Sequence, residues 1–289
     1  MEALTAPAAV VTFSSVVPRI VASVLGLFAS GCLLYIVLSY THAFWHRART
    51  TSLRNLVRAA AVELWACLVL LPFWPLWWII GASYKAAVEG EGEARGRRHP
   101  VILLHGFGMN RTNWLWLGRR LAARGVGPLY GTSYYSPQTI RRSAEQLARF
   151  IEKVCACEQA EKVDIVAHSL GGVVARYFVE RLGGAARVGR IVTIGSPHRG
   201  TAVARWGIGM RSARESRIGS DFWSELGPVA VREGVQLTSV WSRADAIIEP
   251  PESASIAPVG EDRVFDDLGH LSLLLSPRVL DVVAERLQA

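Results

Sequence analysis

A pair of uncharged runs near the start of the chain constrains its folding most. Ile20–Tyr40 (IVASVLGLFASGCLLYIVLSY) is 21 residues without a charge, and Leu64–Tyr84 (LWACLVLLPFWPLWWIIGASY) is a second run of 21. Each is long enough to cross a hydrocarbon core, which takes roughly 20 helical residues. Pro72 and Pro75 predict a kink or an end within the second run, as membrane helices tolerate, and leave a re-entrant or in-plane segment as the alternative there. Trp74, Trp77 and Trp78 suit an aromatic belt at the membrane interface. A cleavable signal peptide fits poorly, because the first 18 residues hold no Lys or Arg. A core helix of this length without a polar face is uncommon. The pattern predicts a two-helix transmembrane hairpin, with helices at about 20–40 and 62–84.

Composition agrees with a membrane segment joined to a folded domain. A hydrophobic content of 51% excludes a disordered chain, and only 4 Cys exclude a disulfide scaffold. The net charge of +8 arises from 32 Lys+Arg against 24 Asp+Glu. No basic block with interleaved aromatics and no zinc-finger spacing accompanies it, so no nucleic-acid partner is predicted. The basic balance suits anionic lipid head groups or a solvated surface. Arg47, Arg49, Arg54 and Arg58 lie between the two runs. The positive-inside rule therefore leans toward a cytoplasmic loop, with everything after residue 85 outside the cytoplasm. Val88–His99 (VEGEGEARGRRH) is charged, carries Gly and has no apolar period, as a linker does. The organisation read from the sequence is an anchor over 1–87, a linker over 88–99 and one folded domain over 100–289.

From Pro100 onward the pattern changes to short apolar runs alternating with amphipathic stretches. Val101–Leu104, Val163–Ala167, Ile191–Ile194 and Leu237–Trp241 read as buried strands. Trp114–Ala123, Ile140–Val154, Val173–Leu182 and a last stretch from near Pro277 read as helices. The alternation predicts an α/β domain, a mostly parallel sheet with helices on both faces.

Ala167-His168-Ser169-Leu170-Gly171-Gly172 follows the strand VDIVA and opens the helix VVARYFVE. This is the strand–turn–helix context of a nucleophile elbow, with Ala167 where G-x-S-x-G has its first Gly. A Ser at an ordinary helix N-cap is the alternative, but it does not call for small residues on both sides. An activated Ser needs a base, usually a neutral His. His42, His46 and His99 fall in the loop and linker, and His105 and His168 sit in strand-end turns, where they suit backbone orientation. His198 lies in SPHRGT. The chain order Ser…Asp/Glu…His selects His270, in DDLGHLSLL. Asp245, four residues beyond the strand LTSVW, is the best-placed acid; Glu249, Asp262, Asp266 and Asp267 compete with it. Backbone N–H groups of Leu170, after the Ser, and of Phe107, in His105-Gly106-Phe107-Gly108, suit an oxyanion hole.

With VILLHGFG, VDIVAHSLGG, IVTIGSPHRGT, SRADAIIEP and LGHLSLL in order, residues 100–288 resemble the bacterial α/β-hydrolase lipases of the triacylglycerol lipase and esterase group. The resemblance implies the α/β-hydrolase fold. It also implies a triad of Ser169, Asp245 and His270, an oxyanion hole at Phe107 and Leu170, and an acyl-enzyme route for cleaving lipid or other apolar esters. No cofactor and no metal are implied, since Leu271-Ser272 follows His270 where calcium-binding relatives carry an aspartate. The implied location is the bacterial inner membrane, leaning extracytoplasmic. Acyl transfer, thioester hydrolysis and a non-catalytic membrane scaffold are the alternatives. The double-span front end is no part of the family's core pattern. As a simple anchor it should be removable at about residue 97. Thr201–Glu233 reads as an amphipathic stretch with aromatics packed inward, or as a short lid.

Overall fold

The structure is a computed structural model that describes residues 13–47, 51–73, 99–230 and 232–289. Trp74, Pro75, Trp77, Trp78, the end of the second apolar run and linker residues 88–98 lie outside the described residues.

Six strands form one sheet, all pairs parallel: β1 (Val101–Leu104), β2 (Leu129–Thr132), β3 (Val163–His168), β4 (Val188–Ile194), β5 (Gln236–Ser242) and β6 (Glu261–Phe265), in the order β2-β1-β3-β4-β5-β6. Every residue of β1 and β3 is buried, which is why β1 is an unbroken apolar run rather than an alternating one, and why Asp164, the charged residue inside β3, is paired with His99 and Arg190. Side chains still alternate between faces. Val101 and Leu103 join one apolar cluster, and Ile102 and Leu104 the other. The edge strands β2 and β6 are not evident from the sequence. β2 (LYGT) contains Gly131, and β6 (EDRVF) is mostly charged, as suits edges that must not recruit another strand.

The helices covering the sheet are α3 (Leu115–Ala123), α4 (Ile140–Glu158), α5 (Leu170–Arg181) and α8 (Pro277–Gln288). Leu147 and Ile151 of α4 and Val174 of α5 fill one face, while Leu117 and Leu121 of α3 and Val279 and Val283 of α8 fill the other. Two short helices, α6 (Arg211–Glu215) and α7 (Asp221–Leu226), interrupt the stretch between β4 and β5. There Phe222 packs inward, while Trp206 and Ile208 are 75% and 81% exposed. The aromatics of this stretch are thus divided between core and surface.

Ahead of this domain stand α1 (Phe13–Arg47) and α2 (Leu53–Leu70). Ser52 caps α2 by accepting from the Asn55 N–H, and Pro72 lies in the 3₁₀ turn that ends it. Both helices contain stretches long and apolar enough to cross a membrane, Ile20–Trp45 and Leu53–Phe73. α2 begins earlier than the uncharged run predicts, because Arg54, Arg58 and Glu63 are compatible with a helix that has protein on one side.

That protein is the hydrolase-like domain itself. Cys32, Ile36, Tyr40 and Ala43 on α1, and Leu56, Ala59, Ala66, Cys67 and Leu70 on α2, are buried in the same cluster as Leu268, Leu271 and Leu274. The spacing of three and four residues along α1, and along α2 once the buried Glu63 is counted between Ala59 and Ala66, places each set on one helix face. At the loop end, Thr51 Oγ1 donates to the Arg243 carbonyl at 3.4 Å, and Arg58 pairs with Asp267 at 3.2 Å. The loop end of the hairpin therefore lies against the α/β domain.

Candidate active site

The C-terminal ends of β1, β3, β4 and β5 deliver four loops to one edge of the sheet, where ligands bind in open α/β folds. Ser169 follows β3 at φ 53°, ψ −126°, a strained conformation for a residue with a side chain. Its neighbours explain how the turn is held. A Cβ on Gly171 would stand 2.6 Å from the carbonyl oxygens of Leu104 and His105, and one on Gly106 would stand 2.8 Å from the Ser169 Cβ. Ala167, fully buried opposite Leu104 and Thr193, is accommodated where a first Gly was expected.

His270 lies in the loop before a 3₁₀ turn (Ser272–Leu275), and its Nδ1 is 2.7 Å from Asp245 Oδ2. The other carboxylate oxygen of Asp245 accepts from the N–H groups of Ile247 (2.8 Å) and Ile248 (3.1 Å). Gly195, at φ 56°, leaves room for this pair: a Cβ there would lie 3.2 Å from Asp245 Oδ2 and 3.3 Å from His270 Nδ1. Burial favours the neutral Asp245 carboxyl, but the charge of His270, its hydrogen bond and the two N–H donors outweigh this and hold the carboxyl below its usual range. For His270, burial works downward, and the Asp245 charge, its hydrogen bond and the charge of Glu63 lift it above its ordinary value.

The other buried histidines behave differently. Burial drives His168 down to about 3 and His105 down to about 4, and it carries His198 well below the usual value with help from Arg176 and Arg199. They are neutral positioning groups. His168 Nε2 donates to the His270 carbonyl at 3.2 Å. His105 Nδ1 donates to the Gly106 carbonyl at 2.8 Å, and its Nε2 accepts from the Tyr134 N–H at 3.2 Å. Three of the competing acids are occupied elsewhere: Asp262 accepts from Ser255 and Ile256, Asp266 pairs with Arg243, and Asp267 pairs with Arg58 and Arg278.

Two cavities meet at Ser169. One, of about 530 Å³, is lined by Phe107, Ser169 and His270 together with residues of the hairpin. The other, of about 340 Å³, is lined by Phe107, Ser169 and Leu170 and by residues between Thr201 and Ser216. All five residues singled out in the sequence thus converge on one place.

Two groups were not foreseen. Arg176, 1% exposed, pairs with Glu180 at 2.8 Å and donates to the His198 carbonyl at 2.9 Å, bracing the SPHRGT loop. Glu63 of α2, fully buried, accepts from the N–H groups of Leu271 (2.8 Å) and Ser272 (2.9 Å), next to His270. A cue for Glu63 was present. It is the one acidic residue between Ile20 and Tyr84, and an isolated charge in an apolar helix is a functional signal.

Comparison with known proteins follows this geometry. The sequence pattern of the family described as Lipase (class 2) matches residues 98–257, more than half of the 289. The chain belongs to the class 2 lipase family. The matched region contains Ser169 and Asp245, while His270 lies beyond it. A triacylglycerol lipase of Burkholderia plantarii is 32% identical over 163 residues, covering 53% of this chain and 44% of that protein. A triacylglycerol lipase of Pseudarthrobacter phenanthrenivorans is 32% identical over 117 residues, 37% of this chain and 35% of that one. The class 2 lipase chain thus spans less than half the length of the curated relatives it matches. The mature Bacillus licheniformis lipase BlEst2 superposes with a TM-score of 0.60 at 14% identity, covering 69% of this chain and 94% of that one. At that identity the likeness establishes the α/β-hydrolase fold.

Proposed function

We propose that this class 2 lipase-family chain is a membrane-anchored serine hydrolase that cleaves carboxylic esters of lipids. The observation that carries the reading is the meeting of two largely apolar cavities at Ser169, beside the His270–Asp245 pair. An ester with two apolar arms fits such a junction better than a small polar one. The relatives named triacylglycerol lipase support an acyl-ester substrate.

In this reading Ser169 Oγ attacks the ester carbonyl carbon as its proton passes to His270 Nε2. Asp245 keeps the Nδ1 proton in place and stabilises the imidazolium. The oxyanion is received by the N–H groups of Leu170 and Phe107. The hydrogen bond from His105 to the Gly106 carbonyl fixes the peptide plane that also contains the Phe107 N–H, and in a trans peptide the two point in opposite directions. Collapse expels the alcohol, which takes the proton from His270, leaving an acyl ester on Ser169. Water, deprotonated by His270, then attacks the acyl ester, and the acid and free Ser169 are released. The anchor over 1–87 keeps this chemistry beside its lipid, with 88–99 as linker and 100–289 as the catalytic domain.

Turnover of p-nitrophenyl butyrate by the full-length protein in detergent tests the assignment. Ser169→Ala should lower kcat by about 10⁴ or more. A variant retaining a tenth of the activity would remove Ser169 from the mechanism.

A further inference from the structure

We infer that the N-terminal hairpin is one wall of the substrate-binding site. Its cavity takes the long hydrocarbon chain of a membrane lipid ester directly from the bilayer. This rests on the reading of Ser169 as nucleophile and adds a binding site to it. The 530 Å³ cavity is lined by Ser169 and His270 and by two sets of side chains. On the domain side stand Phe107, Met109 and Ile247. On the hairpin side stand Phe28, Gly31, Cys32 and Tyr35 of α1, with Cys67 and Leu71 at the end of α2. Its volume is within the range of pockets that enclose a small organic ligand, and the catalytic face supplies only one of its walls.

The place where it leads identifies the occupant. Residues 20–27 of α1 all face outward, Leu25 and Leu27 being 59% and 75% exposed. Phe28, the next residue, already lines the cavity. The cavity therefore adjoins the stretch of α1 that carries bare apolar side chains, which offers a chain in the bilayer an apolar route to Ser169. The hairpin is held in this position by polar contacts as well as packing. Glu63 binds the Leu271 and Ser272 N–H groups, and a side chain at Gly269 would collide with Glu63 and Tyr40.

Gly31 permits a clean test, because a Cβ there meets nothing within 4 Å, so a larger residue enters the cavity without backbone strain. Gly26, on the same helix and equally open, does not line the cavity. In full-length protein reconstituted in phosphatidylcholine vesicles, kcat/KM is measured for p-nitrophenyl palmitate, hexadecyl acetate and p-nitrophenyl butyrate. Each buried methylene is worth about fourfold. Gly31→Phe, displacing two or three of them, should lower kcat/KM for at least one of the two long-chain esters by about tenfold or more relative to the butyrate. Gly26→Phe should leave all three unchanged. Equal effects of Gly31→Phe on long and short esters, or no effect on either long ester, would overturn the inference.

A readout independent of turnover separates it from the catalytic reading. In Ser169→Ala protein, a diazirine-bearing palmitoyl glycerol should cross-link to the peptide containing Phe107 and Met109, and adding Gly31→Phe should suppress this. Cross-linking with no ester turnover by the wild type would retain the cavity and reject the nucleophile. Ser169-dependent turnover with neither cross-linking nor a chain-length effect would reject the cavity alone.

Discussion

At Asp245 two opposed effects set the protonation of the residues around Ser169: burial favours the neutral acid, and pairing with His270 favours the charged one. Pairing prevails, and the same contact raises His270. As the proposed base, His270 would act when neutral, so kcat/KM should fall on the acid side with a midpoint above the ordinary His value of about 6.5. Asp245→Asn removes the charge that lifts His270. Its midpoint should move to lower pH, while kcat drops by about 10³–10⁴ with the circular dichroism unchanged. A silent Asp245→Asn variant, with Asp267→Asn inactive instead, would show that the acid is misassigned. The meeting of Ser169, Asp245 and His270 in one place was legible because strand ends and chain order point to these three. Glu63 was not, because its partner at Leu271 is 208 positions away and no local pattern links them. Arg176 was obscured for a different reason: its partner Glu180 stands one turn along α5, but nothing local shows that the pair is buried or that it reaches the His198 carbonyl.

Among the elements, β1, β3, β4 and β5 were readable because burial on both faces leaves a plain apolar signature. β2 and β6 were not, because an edge strand is chosen as much for solubility as for packing. The sequence also framed the hairpin as a tether, removable at about residue 97. Packing gives it a second role, since α2 supplies the acceptor for two backbone donors beside His270. Glu63→Ala leaves both without that partner, a loss of roughly 1–3 kcal/mol per buried donor. Its Tm should fall, and kcat on p-nitrophenyl butyrate should drop by roughly tenfold or more, since small displacements of a catalytic group are expensive. Glu63→Gln, whose single carbonyl oxygen still accepts, should recover part of both. Full activity of Glu63→Ala on the short ester would return the hairpin to the role of tether.

Over the whole molecule, exposed apolar side chains collect on one side of the hairpin. Leu33, Leu34, Val37 and Leu38 on α1 and Leu53, Val57, Trp65 and Leu68 on α2 are all exposed. So many exposed apolar side chains on two helices suit a surface that meets lipid or protein. Trp206, 75% exposed, borders a further cavity together with His42 of α1, so the stretch between β4 and β5 adjoins the hairpin. The contacts of Thr51 and Arg58 hold the loop end against the α/β domain. α1, with 35 residues, is about 52 Å long, enough to lie along the domain and still extend beyond it. All of this presupposes an active Ser169 at the junction of the two cavities. Labelling with a fluorophosphonate, followed by mass mapping of the modified peptide, tests that most directly. The account predicts one adduct per chain, on Ser169, and none in Ser169→Ala. An adduct on another residue, or undiminished labelling of the variant, would contradict it.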